Sequence, residues 1–187
     1  HAPRGVMTSY GDGMYKSNDA GKTWIKLGLE KTQHIARIII HPTNPDIVYV
    51  AAQGALYAPN PERGVYRSMD GGKSWGKVLY VDEGTGAVEL SMDANNPLVL
   101  YAAMWEHQRK PNKVISGGPG SGLYKSTDGG DTWKEMTKGL PEEKGKMAIS
   151  VSPANSNKVY ALIESDSNQD KGGLFVSNDA GDSWHMV

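Results

Sequence analysis

Apolar residues fall in short runs along this chain, each about five or six residues long and each ended by Gly, Pro, Asn or Asp. In the stretch 29–80 the runs are Ile35–Ile40, Ile47–Ala52, Gly64–Ser68 and Trp75–Tyr80. Pro42, Asn44 and Pro45 separate the first from the second, and Asp70, Gly71 and Gly72 separate the third from the fourth. Runs of this length, rich in Val, Ile, Tyr and Trp and bounded by turn residues, predict β-strands. No segment sustains a helical period; Pro141–Gly145 has room for one turn.

The runs repeat with their turns. The phrase S-x-D-x-G-x-[ST]-W occurs four times, with Ser17, Asp19, Gly21 and Trp24, then Ser68, Asp70, Gly72 and Trp75. It returns with Ser126, Asp128, Gly130 and Trp133, and with Ser177, Asp179, Gly181 and Trp184. Gly13, Gly64, Gly122 and Gly173 stand four places ahead of each serine, with Tyr15, Tyr66, Tyr124 and Phe175 midway. A second phrase follows the same rhythm: HPTNPDIVY at 41–49, DANNPLVLY at 93–101 and SPANSNKVY at 152–160. Periods of roughly 50 residues, each holding four short antiparallel strands, predict an all-β fold, the β-propeller, with one blade per period.

Each Asp phrase reads as a structural turn. The carboxylate can accept backbone N–H bonds within the turn, and the glycine two places on permits a positive φ. The tryptophan is then expected to bury roughly 150–250 Å² against the core. A single carboxylate per turn is poor for calcium, which takes about six to eight oxygens. No metal and no cofactor are expected.

Composition sharpens this. The chain has 187 residues, 20 Lys+Arg against 21 Asp+Glu, and no cysteine. Near-neutral charge gives no electrostatic footprint for nucleic acid. Absence of cysteine excludes disulfides and thiolate metal sites, and no apolar stretch is long enough for a membrane-spanning helix. The 23 glycines and four of the five tryptophans are in large part the repeats themselves.

On these residues the chain resembles the Asp-box, or BNR-repeat, propellers: sialidases, sortilin-type receptor domains, xyloglucan-degrading hydrolases and photosystem II assembly factors. It is most similar to bacterial BNR-repeat glycosyl hydrolase and sortilin-N-terminal-like proteins, through PNPERGVYRS at 59–68, VLYAAMWEHQRK at 99–110 and GGPGSGLYKSTDGGDTW at 117–133. The resemblance covers essentially the whole chain and implies a propeller of a secreted or periplasmic bacterial protein. It does not carry over the sialidase arginine triad. No Arg-Ile-Pro occurs, and Arg4, Arg37, Arg63, Arg67 and Arg109 cannot be assigned to it. Xyloglucan-degrading relatives use a pair of aspartates across two propellers, which a part-propeller does not contain.

Aligning the repeats gives a half blade at 1–28 and blades at 29–80, 81–138 and 139–187. Three and a half blades form an open arc of a larger propeller, so the remaining blades are expected partners. A chain starting at a third strand and ending after a fourth reads as a segment of a longer polypeptide. The Asp phrases gather at one end of the arc, and the loops joining strands two and three gather at the other, where propellers usually bind ligands. These loops span roughly Gln53–Arg63, Trp105–Ser121 and Ser165–Gly172.

Candidate ligand residues in the first two are Tyr57, Glu62, Arg63, Trp105, Glu106, His107, Arg109 and Lys110. Trp105 either packs under its loop with solvated charges around it or lines a site for a sugar or peptide, Arg109 or Lys110 gripping an anion. Arg37 and Glu89 are expected to pair between blades, Asp82 and Glu83 to be solvated, and His41 and Asp93 to cap turns. The expected function is a non-catalytic module binding a glycan or protein on the loop-rich face. Alternatives are part of a sialidase-like or xyloglucanase-like glycoside hydrolase, its catalytic carboxylates not identifiable here, and a scaffold or assembly factor.

Overall fold

The computed structural model describes residues 9–165 and 171–187. Fifteen strands occur among them, in four antiparallel groups. The first is a half blade, β1 (Tyr15–Lys16) against β2 (Ile25–Lys26). The next blade orders β3 (Ile35–Ile40), β4 (Val48–Ala52), β5 (Gly64–Ser68) and β6 (Gly76–Leu79). The middle blade orders β7 (Thr85–Met92), β8 (Leu100–Lys110), β10 (Gly122–Ser126) and β11 (Lys134–Met136), with β9 (Lys113–Ser116) paired to the far part of β8. The last holds β12 (Met147–Ser152), β13 (Asn155–Ile163), β14 (Gly173–Ser177) and β15 (His185–Met186). The blades form an open arc; no sheet joins its two ends among the described residues. A single helical turn forms at Glu30–Thr32, and residues 141–145 form irregular backbone. No helix of the described residues is long and apolar enough to cross a membrane.

The Asp phrase builds the same turn four times. In the first, the Ser17 hydroxyl donates to Asp19 Oδ1 at 2.8 Å and accepts the Gly21 N–H at 2.7 Å. Asp19 in turn accepts the Thr23 N–H at 2.8 Å and the Thr23 hydroxyl at 2.6 Å. Asp70, Asp128 and Asp179 repeat this with Ser74, Thr132 and Ser183. Glycine closes each turn at positive φ, from +87° at Gly21 to +93° at Gly72. The hydroxyl four residues on is the largest cause that holds each of the four carboxyls at about 2. A carboxyl lowered from its unfolded value of about 3.9 contributes stability that is present above that pH and lost as pH falls towards 2. Acid unfolding is therefore expected between about pH 4 and pH 2, followed by near-ultraviolet circular dichroism. Asp128→Asn is expected to weaken that pH dependence.

The last three turns are each tied to their own blade, and the last two also to the blade before by a tyrosine and an ion pair. Within the blade, Gly71, Gly129 and Ala180 donate their N–H to the carbonyls of Asp46, Leu98 and Asn157, all at 2.9 Å. Across the seams, the Tyr49 hydroxyl donates to the Gly129 carbonyl at 2.7 Å, and that of Tyr101 to Ala180 at 2.9 Å. Ion pairs stand beside both: Arg67 with Asp131 at 2.8 Å, and Lys125 with Asp182 at 3.2 Å. The core lies in these seams. One cluster unites Tyr49, Ala51, Val65 and Leu79 with Leu90, Leu100, Ala102 and Met104. Another unites Tyr101, Ala103, Trp105 and Leu123 with Ile149, Val159, Ala161 and Phe175.

Burial of the repeated tryptophans departs from the expectation that all four are core residues. Trp184 is 5% exposed, Trp75 and Trp133 are half-buried, and Trp24 is 62% exposed. The turn chemistry is the same in all four, so the difference lies in the neighbours. Among the described residues no blade lies on the outer side of Trp24.

Candidate functional site

Antiparallel connection places the Asp turns at one end of the arc and the 53–63 and 105–121 segments at the other. The second segment is not a loop from Trp105 onward. Strand β8 continues to Lys110, turns at Pro111–Asn112, and returns as β9, so Trp105–Lys110 is strand. The Arg109 N–H donates to the Leu56 carbonyl at 2.8 Å, and Gln108 Nε2 donates to the Tyr57 carbonyl at 3.1 Å. These bonds hold the hairpin against the 53–63 loop. Tyr57, Lys110, Lys113 and Val114 are exposed on it.

Other candidates lie beneath this surface. Arg63 is fully buried and donates to the carbonyls of Ala55, Ala58, Gly84 and His107. Burial pulls its pKa down to about 10, with Asp82 and Glu106 opposing. Burial, then the Arg63 charge, hold His107 at about 3, so its ring is neutral at physiological pH. Trp105 is buried and stacks on His107, ring centroids 4.4 Å apart. Arg63, Trp105 and His107 thus lie below the surface and brace the two loops. For Trp105 the reading in which it packs under the hairpin is the one that fits.

Four carboxylates at this end hold parts of the chain itself. Glu106 accepts the Gly120 N–H at 3.0 Å, and Glu62 accepts the Tyr66 hydroxyl at 3.2 Å. Asp82 accepts the Gly84 N–H at 2.7 Å. Glu164 accepts the Ser116 hydroxyl at 2.7 Å and the Lys146 N–H at 2.9 Å. Among the described residues no three or more His, Asp or Glu side chains come together as metal ligands. Beside the hairpin runs a groove of about 460 Å³, between Ser116–Pro119 and Glu142–Gly145. Sequence reading missed its second wall, because nothing in Glu142-Glu143-Lys144 marks that connector as a neighbour of the hairpin. The third loop, Ser165–Gly172, lies mostly outside the described residues, as does Arg4.

Towards the arc's axis, Arg37 Nε and Glu89 Oε1 lie 3.3 Å apart across the seam between β3 and β7. The pair is formed as expected but is part-exposed, facing a groove of about 560 Å³ along the inner strands. His41 Nδ1 accepts the Asn44 N–H at 3.2 Å and Asp93 accepts the Asn95 N–H at 2.9 Å, both as turn caps.

The family model described as Sortilin, neurotensin receptor 3, matches residues 63–187. No curated protein matches the chain. An ancestral GH74 enzyme has a similar structure, with a TM-score of 0.71 and 19% identity over 94% of this chain and 21% of its own. The GH74 enzyme of Niastella koreensis gives 0.67 and 22%, over 92% and 26%. The GH74 xyloglucanase of Xanthomonas campestris gives 0.68 and 19%, over 94% and 27%. The chain thus spans about a quarter of the length of these structures, and the likeness is one of fold.

Proposed function

This chain belongs to the family described as Sortilin, neurotensin receptor 3, and on that premise we propose that it is a non-catalytic propeller module taking a protein ligand on its loop-rich end. The observation that carries the proposal is the β8–β9 hairpin. Among the described residues β9 pairs with β8 alone, so its outer edge is open to another strand. Lys110 and Lys113 stand at its tip, and Arg109 and exposed Tyr57 lie alongside. An open edge adds an extended peptide as a further strand, and flanking cations select an acidic one. The ligand class is therefore an extended acidic protein segment. A secreted or periplasmic setting, implied by the Asp-box resemblance, belongs to the same proposal.

A glycan is the second reading, favoured by the exposed Tyr57 ring, which can lie flat against a sugar. The hydrolase reading fares worse. A glycosidase needs two carboxyls about 5–9.5 Å apart and free to act, whereas Glu62, Asp82, Glu106 and Glu164 all accept bonds that hold backbone or neighbouring side chains.

Titration calorimetry with an extended peptide of alternating Glu and Val, beside a neutral xyloglucan oligosaccharide, separates the readings. The peptide is expected to bind, more weakly at high salt, and the double variant Lys110→Glu, Lys113→Glu to weaken it at least tenfold. Binding of the oligosaccharide alone would favour the glycan. Peptide binding untouched by the double variant would place the ligand elsewhere.

A further inference from the structure

Beneath the 117–120 loop, three side-chain oxygens gather that the chain itself leaves open. The strand register places two of them. Thr85 and Glu106 lie directly opposite each other on β7 and β8. Their side chains therefore leave the sheet on the same face, with Cβ atoms about 4.5–5.5 Å apart. Glu106 Oε2 accepts the Gly120 N–H at 3.0 Å, and among the described residues no hydrogen bond engages Oε1. Asp82 reaches the same place from the connector before β7. Its Oδ1 accepts the Gly84 N–H at 2.7 Å, and among the described residues Oδ2 is likewise unengaged.

The loop closes over these oxygens. A Cβ at Gly120 would collide with Thr85 Oγ1 and stand 3.1 Å from Asp82 Oδ2. A Cβ at Gly118 would collide with both carboxylate oxygens of Glu106. Glycine is therefore required at both places, where the backbone passes directly over the three side chains. The Glu106 N–H donates to Ser121 Oγ, and the Ser121 N–H to the Gly118 carbonyl, both at 3.0 Å, which pins the loop in place. Thr85 is the residue that points to a ligand. It is fully buried, and its hydroxyl, set between the two carboxyls, has no hydrogen-bond partner. A buried hydroxyl left unmet costs about 1–3 kcal/mol, and valine fills the same space without that cost.

We propose that Thr85 Oγ1, Asp82 Oδ2 and Glu106 Oε1 form a calcium site under the Gly118–Gly120 backbone. The donors are oxygen alone, two of them carboxylate, which suits a hard divalent cation. Calcium takes about six to eight oxygens, and Asp82 is exposed, so water completes the shell. Magnesium demands a near-ideal octahedron, for which an oxygen fixed in the sheet and a loop pressed against it leave little freedom. Arg63 donates to the Gly84 carbonyl and attracts both Asp82 and Glu106, so it balances one of the two carboxylates and leaves the other for the cation. The expected dissociation constant is therefore about 0.1–1 mM, the range of calcium-binding extracellular modules. The Asp turns do not compete, because both oxygens of each of their carboxylates already accept bonds. The ion fastens the 82–84 connector and the β7–β8 pair to the loop whose Gly117, Gly118 and Pro119 line the groove beside the hairpin.

The test is calorimetric titration with calcium chloride alone, beside magnesium chloride, with thermal unfolding in calcium and in EGTA. The variants are Thr85→Val, which keeps the buried shape, and Asp82→Asn, which keeps an acceptor for the Gly84 N–H. The unaltered chain is expected to bind calcium, and each variant to weaken it roughly tenfold. Calcium is expected to raise the melting temperature of the unaltered chain and to leave that of the variants nearly unchanged. In EGTA, Thr85→Val is expected to be at least as stable as the unaltered chain, a result that a purely structural hydroxyl does not give. The proposal is overturned by the absence of binding up to about 10 mM calcium, or by equally tight binding in both variants. Tighter binding of magnesium than of calcium, or a Thr85→Val variant that is less stable in EGTA, also overturns it. No peptide or glycan enters these measurements, so their outcome is independent of the binding proposed at the hairpin.

Discussion

Arg63→Ala is expected to destabilise the chain by about 3–5 kcal/mol, the largest effect of any single charged residue in it. The side chain is fully buried and gathers carbonyls from Ala55, Ala58, Gly84 and His107, which belong to the 53–63 loop, the connector to β7 and β8. Truncation leaves several acceptors without donors in a dry seam, each costing about 1–3 kcal/mol before relaxation. Lysine is a poor substitute, since three donors on one nitrogen cannot reach the spread of carbonyls that a guanidinium fork reaches. Equilibrium urea unfolding gives the cost. A loss below about 1 kcal/mol would mean that the loops do not depend on this arginine. Domains of this size have only about 5–15 kcal/mol in total, so Arg63→Ala is also expected to loosen the hairpin above it.

Trp184→Ala and Trp24→Ala are expected to differ sharply although their local sequences match. Trp184 is enclosed between two blades, and its removal leaves a cavity costing about 3–5 kcal/mol. Trp24 faces outward, and its removal is expected to fall within about 0.5 kcal/mol of neutral. Thermal unfolding of the two variants decides it. Equal costs would mean that the half blade is covered in solution and that the arc is not open on that side.

This pair shows where the sequence is informative. The Asp turn is closed by bonds within seven residues, so its phrase is legible by itself, and the strands follow from runs bounded by turn residues. Strands expected at Ile35–Ile40 and Gly64–Ser68 occur over those residues. Burial of the tryptophan is a property of the adjacent blade, and no local phrase encodes it.

The hairpin was less legible for a related reason. Leu100–Trp105 is buried without alternation because both faces of β8 are covered. The alternation that marks a half-buried strand is therefore missing where a long strand begins. Pro111–Asn112 was the available turn signal, but the polar run before it reads as loop. Arg63 was legible only as a charged residue beside a glycine. Its acceptors come from three separate segments of the chain, so its role as a brace has no sequence pattern. Tyr57 and Lys110 did not depend on such long-range contacts, and both remain on the surface where a ligand can reach them.

Hydrogen exchange of the chain with and without the acidic peptide tests the central claim most directly, because it reports which end of the arc is the working face. The account predicts slower exchange in residues 53–63 and 105–119, with the Asp turns at 68–75 and 126–133 unchanged. Protection confined to the Asp turns, or none at saturating peptide, would contradict it.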